Sequence, residues 1–316
     1  MSKRLTFLCA AAGLMLWTVA ARALAQAKVN PQQRFHQVLP AGNYSGVTAL
    51  GDGRFALVCD KRPDGFFMLR IAIDSLNGRI RSLDNEGYRA SGRDNRDQEG
   101  IAFANGHIYI SGERDNEIHE YLPDGTFLKA HAVALPAKPH RNRGLESLCY
   151  DPVRRCLWTT TETPLPGDTL LRLMQLSPDG SPLGHFLYAP DAPRHRKKRR
   201  NVVVEGVSEL CALSDGRLLV MEREIYMPRA KVGGSVTVRL YETRPPEEAT
   251  TGAVLQKRLL AKFTTRLNLF RQNFANYEGL CEAGRLADGR IVLLLVSDSQ
   301  NQKDGIIRDW MRTVVL

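Results

Sequence analysis

Apolar residues along this chain come in short runs that alternate with polar ones and break off at Gly, Asn, Asp or Pro. A 3.6-residue periodicity is hard to find anywhere, so the pattern predicts strands and turns, not helices. One run differs. Leu5 to Ala21 is apolar throughout, follows Lys3 and Arg4, and leads to Ala23-Leu24-Ala25 before Gln26. A basic start, an apolar centre and an A-x-A site are the parts of a secretory signal peptide, which predicts a removable leader over residues 1–25. An uncleaved anchor is the alternative, since the run is only just short of a membrane span. No other long apolar run exists, so residues 26–316 are expected as one exported domain, periplasmic or secreted, with no membrane span after cleavage.

Five segments share one pattern: a small or acidic residue, Gly, a short apolar stretch, a turn, a β-rich run, then an acid. They run from Ser45-Gly46-Val47 to Asp60, from Glu99-Gly100-Ile101 to Glu113, and from Arg143-Gly144-Leu145 to Glu162. The fourth and fifth run from Glu205-Gly206-Val207 to Glu222 and from Glu278-Gly279-Leu280 to Asp298. Asp52-Gly53, Asn105-Gly106, Asp215-Gly216 and Asp288-Gly289 fall midway in four copies, and such pairs supply the positive φ of tight hairpins. The third copy has Asp151-Pro152 there. Third strands follow over 66–73, 117–122, 170–176 and 236–241, and Asn77-Gly78, Asp124-Gly125 and Asp179-Gly180 turn into fourth strands.

Four-strand units that repeat at irregular intervals predict an all-β chain folded as a β-propeller, with five blades counted and a degenerate sixth open. Too few residues follow Gly279 for a full last blade. Phe35 to Pro40 resembles the fourth-strand segment His131 to Pro136, so that N-terminal strand is expected to close the ring. Two packed sandwiches are the alternative, but they leave five equivalent hairpins unexplained.

In an antiparallel hairpin the start of the first strand and the end of the second share one edge. The closing acids Asp60, Glu113, Glu162, Glu222 and Asp298 are therefore expected beside the pre-glycine acids Glu99, Glu205 and Glu278 at one mouth of the channel. Like charges so close need compensation. Three kinds are available: the basic residues Lys61, Arg114, Arg143 and Arg223, a hard cation such as calcium, or shared protons that make some groups general acids or bases. An acid ring holding a divalent cation beside arginines suits a phosphate ester. The plainer alternative is a set of ion pairs that stitch blades together, with the glycines easing close approach at the axis.

Charge and cysteines alter the picture little. The chain carries 44 basic and 34 acidic residues, net +10, and six of the surplus lie in Arg194, Arg196, Lys197, Lys198, Arg199 and Arg200. No aromatic residues interleave that run for base stacking, so nucleic acid is not expected; a solvated loop that touches anionic envelope surfaces is. Beyond the leader stand Cys59, Cys149, Cys156, Cys211 and Cys281. Cys149 and Cys156 flank a turn, and a disulfide across that hairpin is one possibility. No C-x-x-C, G-x-S-x-G, H-E-x-x-H, G-x-x-x-x-G-K-[ST] or G-x-G-x-x-G occurs, and the histidines show no ligand spacing.

The segments Asp97-Gln98-Glu99-Gly100-Ile101-Ala102, Tyr109 to Arg114, Asn142 to Leu148, Leu218 to Arg223 and Asn276 to Leu280 together resemble the phytase-like, esterase-like family of exported bacterial proteins. The resemblance spans about Ser45 to Leu316. It implies a propeller whose repeated acids serve phosphoester hydrolysis, and it carries over onto Glu99, Glu113, Glu146, Glu162, Glu205, Glu222, Glu278 and Asp298. The first copy departs from it with Ser45 in place of an acid, and the third with Arg143 before its glycine and Glu146 after it.

These readings converge on a metal-assisted phosphoric ester hydrolase that acts on a small anionic substrate as a monomer. Glu99, Glu113, Glu205, Glu222 and Glu278 are the expected catalytic carboxylates. Asp60, Glu146, Glu162 and Asp298 are the expected ligands of a divalent cation, with calcium the first considered. Lys61, Arg114, Arg143 and Arg223 are expected to hold phosphate. A metal-dependent lactonase or carboxyl esterase, and a non-catalytic propeller that binds an envelope ligand, are the rivals.

Overall fold

The turn pairs set the hairpins. Asp52 and Gly53, and Asn105 and Gly106, all have positive φ, the type I′ geometry whose twist matches the flanking strands. The computed structural model describes residues 27–35, 37–198, 201–229, 231–246, 251–267, 273–302 and 307–316. The leader expected over 1–25 lies outside the described residues, as do Arg199 and Arg200 of the basic run. Among the described residues no helix is long and apolar enough to cross a membrane.

Two short strands open the chain, β1 (Lys28–Val29) and β2 (Gln33–Arg34). The first blade is β3 (Tyr44–Gly51), β4 (Arg54–Cys59), β5 (Gly65–Ile73) and β6 (Ile80–Ala90). The second is β7 (Gln98–Ala104), β8 (His107–Gly112), β9 (Glu117–Tyr121) and β10 (Phe127–Ala132). The third is β11 (Leu145–Asp151), β12 (Cys156–Thr161), β13 (Leu171–Leu176) and β14 (Pro182–Tyr188). The fourth is β15 (Asn201–Ala212), β16 (Leu218–Pro228), β17 (Ser235–Thr243) and β18 (Arg258–Arg266). The fifth holds β19 (Asn276–Arg285), β20 (Ile291–Asp298) and β21 (Trp310–Val315). All pair antiparallel, and the innermost strands β3, β7, β11, β15 and β19 pack side by side in a closed circle. This is a five-bladed β-propeller.

Glycine makes that circle possible. A Cβ on Gly100 would stand 2.0 Å from the Leu148 nitrogen, and one on Gly46 would stand 2.4 Å from the Glu99 carbonyl oxygen. Side chains there would push neighbouring inner strands apart. Farther out, apolar faces fill the gaps between blades. Trp158, Phe186 and Tyr188 of the third blade pack with Val207, Leu210 and Val220 of the fourth, all fully buried.

An N-terminal strand does close the ring, but from a different segment than expected. Lys28 and Val29 pair with Val315 and Val314, and Gln33 and Arg34 pair with Met311 and Trp310, which gives the fifth blade its outer edge. Phe35 and Leu39 instead fold into a turn and bury both side chains beside Tyr44, between the fifth and first blades. The physical reason is burial: an outer edge strand suits Gln33 and Arg34, whereas Phe35 and Leu39 gain more from the core. His36, within the expected segment, lies outside the described residues.

The expected Cys149–Cys156 disulfide is absent, and both thiols are free. The register explains this. Cys149 faces Trp158 and Asp151 faces Cys156, so the two cysteines are diagonal neighbours and not a directly opposed pair. Diagonal Cβ atoms stand roughly 7 Å apart, beyond disulfide reach.

Blade four is taller than the others. Its register continues past the mouth through Glu205 opposite Glu224, Val202 opposite Met227 and Tyr226 opposite Ser235, to Ser235 opposite Arg266. It forms a wall that rises on the side where the inner strands begin.

Candidate active site

Bulges aim the inner-strand acids. The β7–β8 register shifts across Glu99, β11–β12 across Glu146, and β19–β20 across Glu278. A bulge adds a residue and turns its side chain out of the ladder, here toward the axis. Equivalent bulges hold Ser45 in the first blade and Ser208 in the fourth.

At the ends of the second strands the pairings are Tyr44 with Cys59, Gln98 with Gly112, Leu145 with Thr161, Val207 with Glu222, and Tyr277 with Ser297. The next residues in order are Asp60, Glu113, Glu162, Arg223 and Asp298. Arg223 therefore stands where the other blades have an acid. Glu222 is one position early, and its side chain leaves the ring. It accepts the Tyr188 hydroxyl at 2.6 Å, the Lys257 ammonium at 2.7 Å and the Asp191 N–H at 3.0 Å. Glu205 lies on the tall extension, exposed and opposite Glu224. Placing Glu205 and Glu222 within the ring itself is thus corrected: strand alternation turns Glu222 toward Tyr188 and Lys257, and both acids line a small pocket at the ring's edge with Glu162 and Arg223. Asp60, Glu99, Glu113, Glu146, Glu162, Glu278 and Asp298 do converge.

Arg223 is buried in their midst. Its guanidinium reaches Glu162 at 3.0 Å and Glu146 at 3.5 Å in blade three, and Glu278 in blade five, with Asn276 Oδ1 at 3.0 Å. Arg143 pairs with Glu162. Lys61 bridges Asp60 and Asp97, each at 2.8 Å, and Arg114 reaches Asp97 at 3.5 Å with most of its side chain in water. All four residues expected to hold phosphate pair with carboxylates, Arg114 at the longest reach, and the Arg114 and Lys61 side chains are the ones most open to water.

The remaining balance is negative. Glu99 has no cationic partner among the described residues, and Asp60 Oδ1 is buried without a donor. Burial, then Glu146, Asp60, Glu113 and Asp97, hold the Glu99 carboxyl well above its ordinary range. Burial and Glu162 raise Glu146 against the pull of Arg223. Burial raises Asp60, with Lys61 opposing. Burial, Asp97 and Glu162 push Glu113 up to about 6, against the Gly144 N–H and Lys61. Burial pushes Asp298 up to about 7, opposed by the Gln300 N–H and Arg223 and reinforced by Asp60. These are the conditions in which carboxyl groups exchange protons near neutrality.

Beside Glu113 opens a cleft of about 670 Å³, lined by Asp97, Arg114, Asn116 and the loop Lys138 to Asn142. Lys138, His140 and Arg141 on its rim are exposed and make no ion pair within the described chain. Sequence reading missed them because they sit outside the repeated hairpins; the cluster Lys138-Pro139-His140-Arg141 was the available signal.

Among the described residues, one group of three possible ligands has donor atoms within 4.8 Å of one another: Asp115, Glu117 and His119 in the second blade. Arg96 already spans both Asp115 oxygens, at 2.9 and 3.1 Å, and His119 Nε2 lies 3.1 Å from Glu117. That group is therefore largely neutralised. The ring carboxylates are spread more widely than one bare ion's shell, so a cation among them would keep some of its waters.

Fold and site together define a five-bladed propeller with a proton-rich carboxylate mouth. The sequence places it further: a model of the phytase-like family, described as having the esterase-like activity of phytase, matches residues 39–300, and the chain belongs to that family. No curated protein matches the sequence. Among solved structures, a Thermus thermophilus putative oxidoreductase (glucose dehydrogenase) is similar at 12% identity and TM-score 0.50, over 90% of this chain and 100% of that one. The PQQ-bound aldose sugar dehydrogenase of Streptomyces coelicolor gives 14% and 0.49 over 92% and 98%. Glutaminyl cyclase of Myxococcus xanthus gives 12% and 0.46 over 92% and 97%. At such identity the Thermus likeness speaks to fold alone.

Proposed function

We propose that the mouth hydrolyses phosphate esters with the help of a divalent cation. The observation that carries this reading is an excess of acids: Asp60, Glu99, Glu113, Glu146, Glu162, Glu278 and Asp298 outnumber Lys61, Arg143 and Arg223, and Glu99 and Glu113 have no ion-pair partner among the described residues. Such a group binds protons, a hard cation, or both in turn. Its donors are all carboxylate oxygens, the ligand type of calcium, magnesium and manganese. A bound cation would supply charge at a phosphoryl oxygen, with Asp60, Glu99 and Glu146 holding it partly through its own waters.

The chain's own groups do the rest. Glu113, titrating at about 6, takes a proton from water at neutral pH, and Asp298, at about 7, still carries one to give to the leaving oxygen. Arg114, Lys138, His140 and Arg141 supply cations at the cleft for the ester's anionic end. Family membership supports a hydrolase; the choice of phosphate rests on the cationic rim beside the acids. Export through the leader would place the enzyme among substrates outside the cytoplasm.

A panel of p-nitrophenyl phosphate, bis-p-nitrophenyl phosphate, p-nitrophenyl acetate and a lactone tests this with and without calcium, magnesium or manganese. Turnover of either phosphate that is abolished by chelator and by Glu113→Gln is expected. Turnover of acetate or lactone alone would move the assignment to a carboxyl esterase or lactonase. A structural reading draws on Arg223, which joins three blades; no turnover of any ester, with no gain in thermal stability from a divalent cation, would favour it.

A further inference from the structure

Arg194, Arg196, Lys197 and Lys198 are exposed, and none of their side chains meets a carboxylate within the described chain. Four cations within five residues of a slack loop would be an ordinary solvated run. As far as Lys198 this loop is not slack. Buried Glu222 accepts the Asp191 N–H, and buried Glu224 accepts the N–H groups of Arg194 at 2.8 Å and His195 at 3.0 Å. Glu224 also receives His195 Nδ1 at 2.6 Å, and the imidazole lies flat on Tyr226 with ring centres 4.0 Å apart. At the far end, Asn201 Oδ1 accepts the Lys198 N–H at 2.7 Å while its amide donates to the Arg196 carbonyl at 3.2 Å. The backbone is held at both ends and the four charges face water, although holding them together costs repulsion. Two apolar side chains accompany them on the same extension. Val202, opposite Met227, and Val232, in the turn between β16 and β17, are each more than half exposed.

We propose that this tip of blade four docks the protein on an anionic lipid bilayer. Cations on an anchored backbone with no internal counter-charge match acidic headgroups, and the anchoring spares the backbone part of the ordering cost. The two valines suit the headgroup boundary and have no use against a soluble anion. The loop has no Phe, Tyr or Trp, and its one ring, His195, is already engaged by Glu224 and Tyr226, which counts against base stacking by nucleic acid. The wall rises on the mouth side, so docking brings the carboxylate ring to the membrane surface. This inference stands apart from catalysis, and its test reads no turnover.

The test is co-sedimentation of the purified chain with vesicles of phosphatidylcholine, alone or mixed with phosphatidylglycerol. Partition onto the mixed vesicles is expected to be at least about tenfold greater and to fall steeply as salt is added. R196E/K197E/K198E should remove the preference, and V202D/V232D should weaken binding while leaving its salt dependence. E224A keeps all four charges but frees the loop, and is expected to lose several-fold in binding. Unfolding curves like the parent's establish that each variant is folded, and any leader is common to all of them. Equal binding to both vesicle types, or undiminished binding by the triple variant, would overturn the proposal. So would duplex DNA or soluble polyphosphate binding more tightly than the vesicles. Full binding by E224A would overturn the argument from anchoring.

Discussion

Arg223 occupies a position that is acidic in the other four blades, and this one exchange organises the mouth. Its buried guanidinium serves Glu146, Glu162 and Glu278, so removing it would leave carboxylates uncompensated in a poorly solvated place. Losing one partner of such a network costs about 3–5 kcal/mol. Arg223→Met should therefore lower the melting temperature sharply at pH 8 and much less at pH 5, where the acids take up protons. Thermal melts at the two pH values check this. Glu113 gives a second prediction. Its folded value of about 6 exceeds the ordinary 4.5, so the folded chain binds the extra proton and its contribution to stability falls as pH rises through that window. Glu113→Gln should stabilise the protein at pH 8 by about 1–2 kcal/mol, discounted for the group's contact with water. The same variant should abolish turnover. In the parent, kcat should rise with pH through about 6, the limb of a base that must be ionised, and a profile flat across that range would remove Glu113 from the role.

Among elements, the hairpins were the most legible part of the sequence, because turn chemistry is local. Asp52-Gly53 and Asn105-Gly106 declare their geometry in two residues. The count of blades followed from that. The faces of individual acids were less legible, since one bulge shifts a strand by a residue and reverses which side chain meets the axis. Glu222 and Arg223 differ in position by that single step. Asp60, Glu113 and Asp298 were readable because each directly follows the second-strand residue paired beside its blade's bulge. The closing strand was misplaced because β1 and β2 are two residues each, below any periodic signal. Asn30 anchors that strand, donating to Thr313 Oγ1 at 2.9 Å and to the Asn77 carbonyl at 3.0 Å. Asn30→Ala should cost about 1–3 kcal/mol by denaturant titration. With the five described thiols free, a reductant should leave the melting temperature unchanged; Cys59, Cys156, Cys211 and Cys281 should react with a thiol reagent only after unfolding exposes them, and half-buried Cys149 sooner.

The molecule as a whole gathers opposite charges on one side: acids around the mouth and cations on the tip of the fourth blade above it. Raising the pH past about 7 ionises Glu113 and Asp298 and adds repulsion at the mouth, so a divalent cation should raise the melting temperature at pH 8 and do little at pH 5. Differential scanning fluorimetry with and without calcium would read this, and equal shifts at both pH values would place the ion elsewhere. A last consequence follows from the clasp between Lys28–Arg34 and Trp310–Val315. The first strands of the domain have no partner until Trp310–Val315 has been made. Early blades can gather as they emerge, but the circle stays open until β21 arrives. A product cut short before β21 would leave β20 with a bare edge and Phe35 beside an incomplete core, marked for proteolysis. Completeness of the propeller is thus checked by its own geometry.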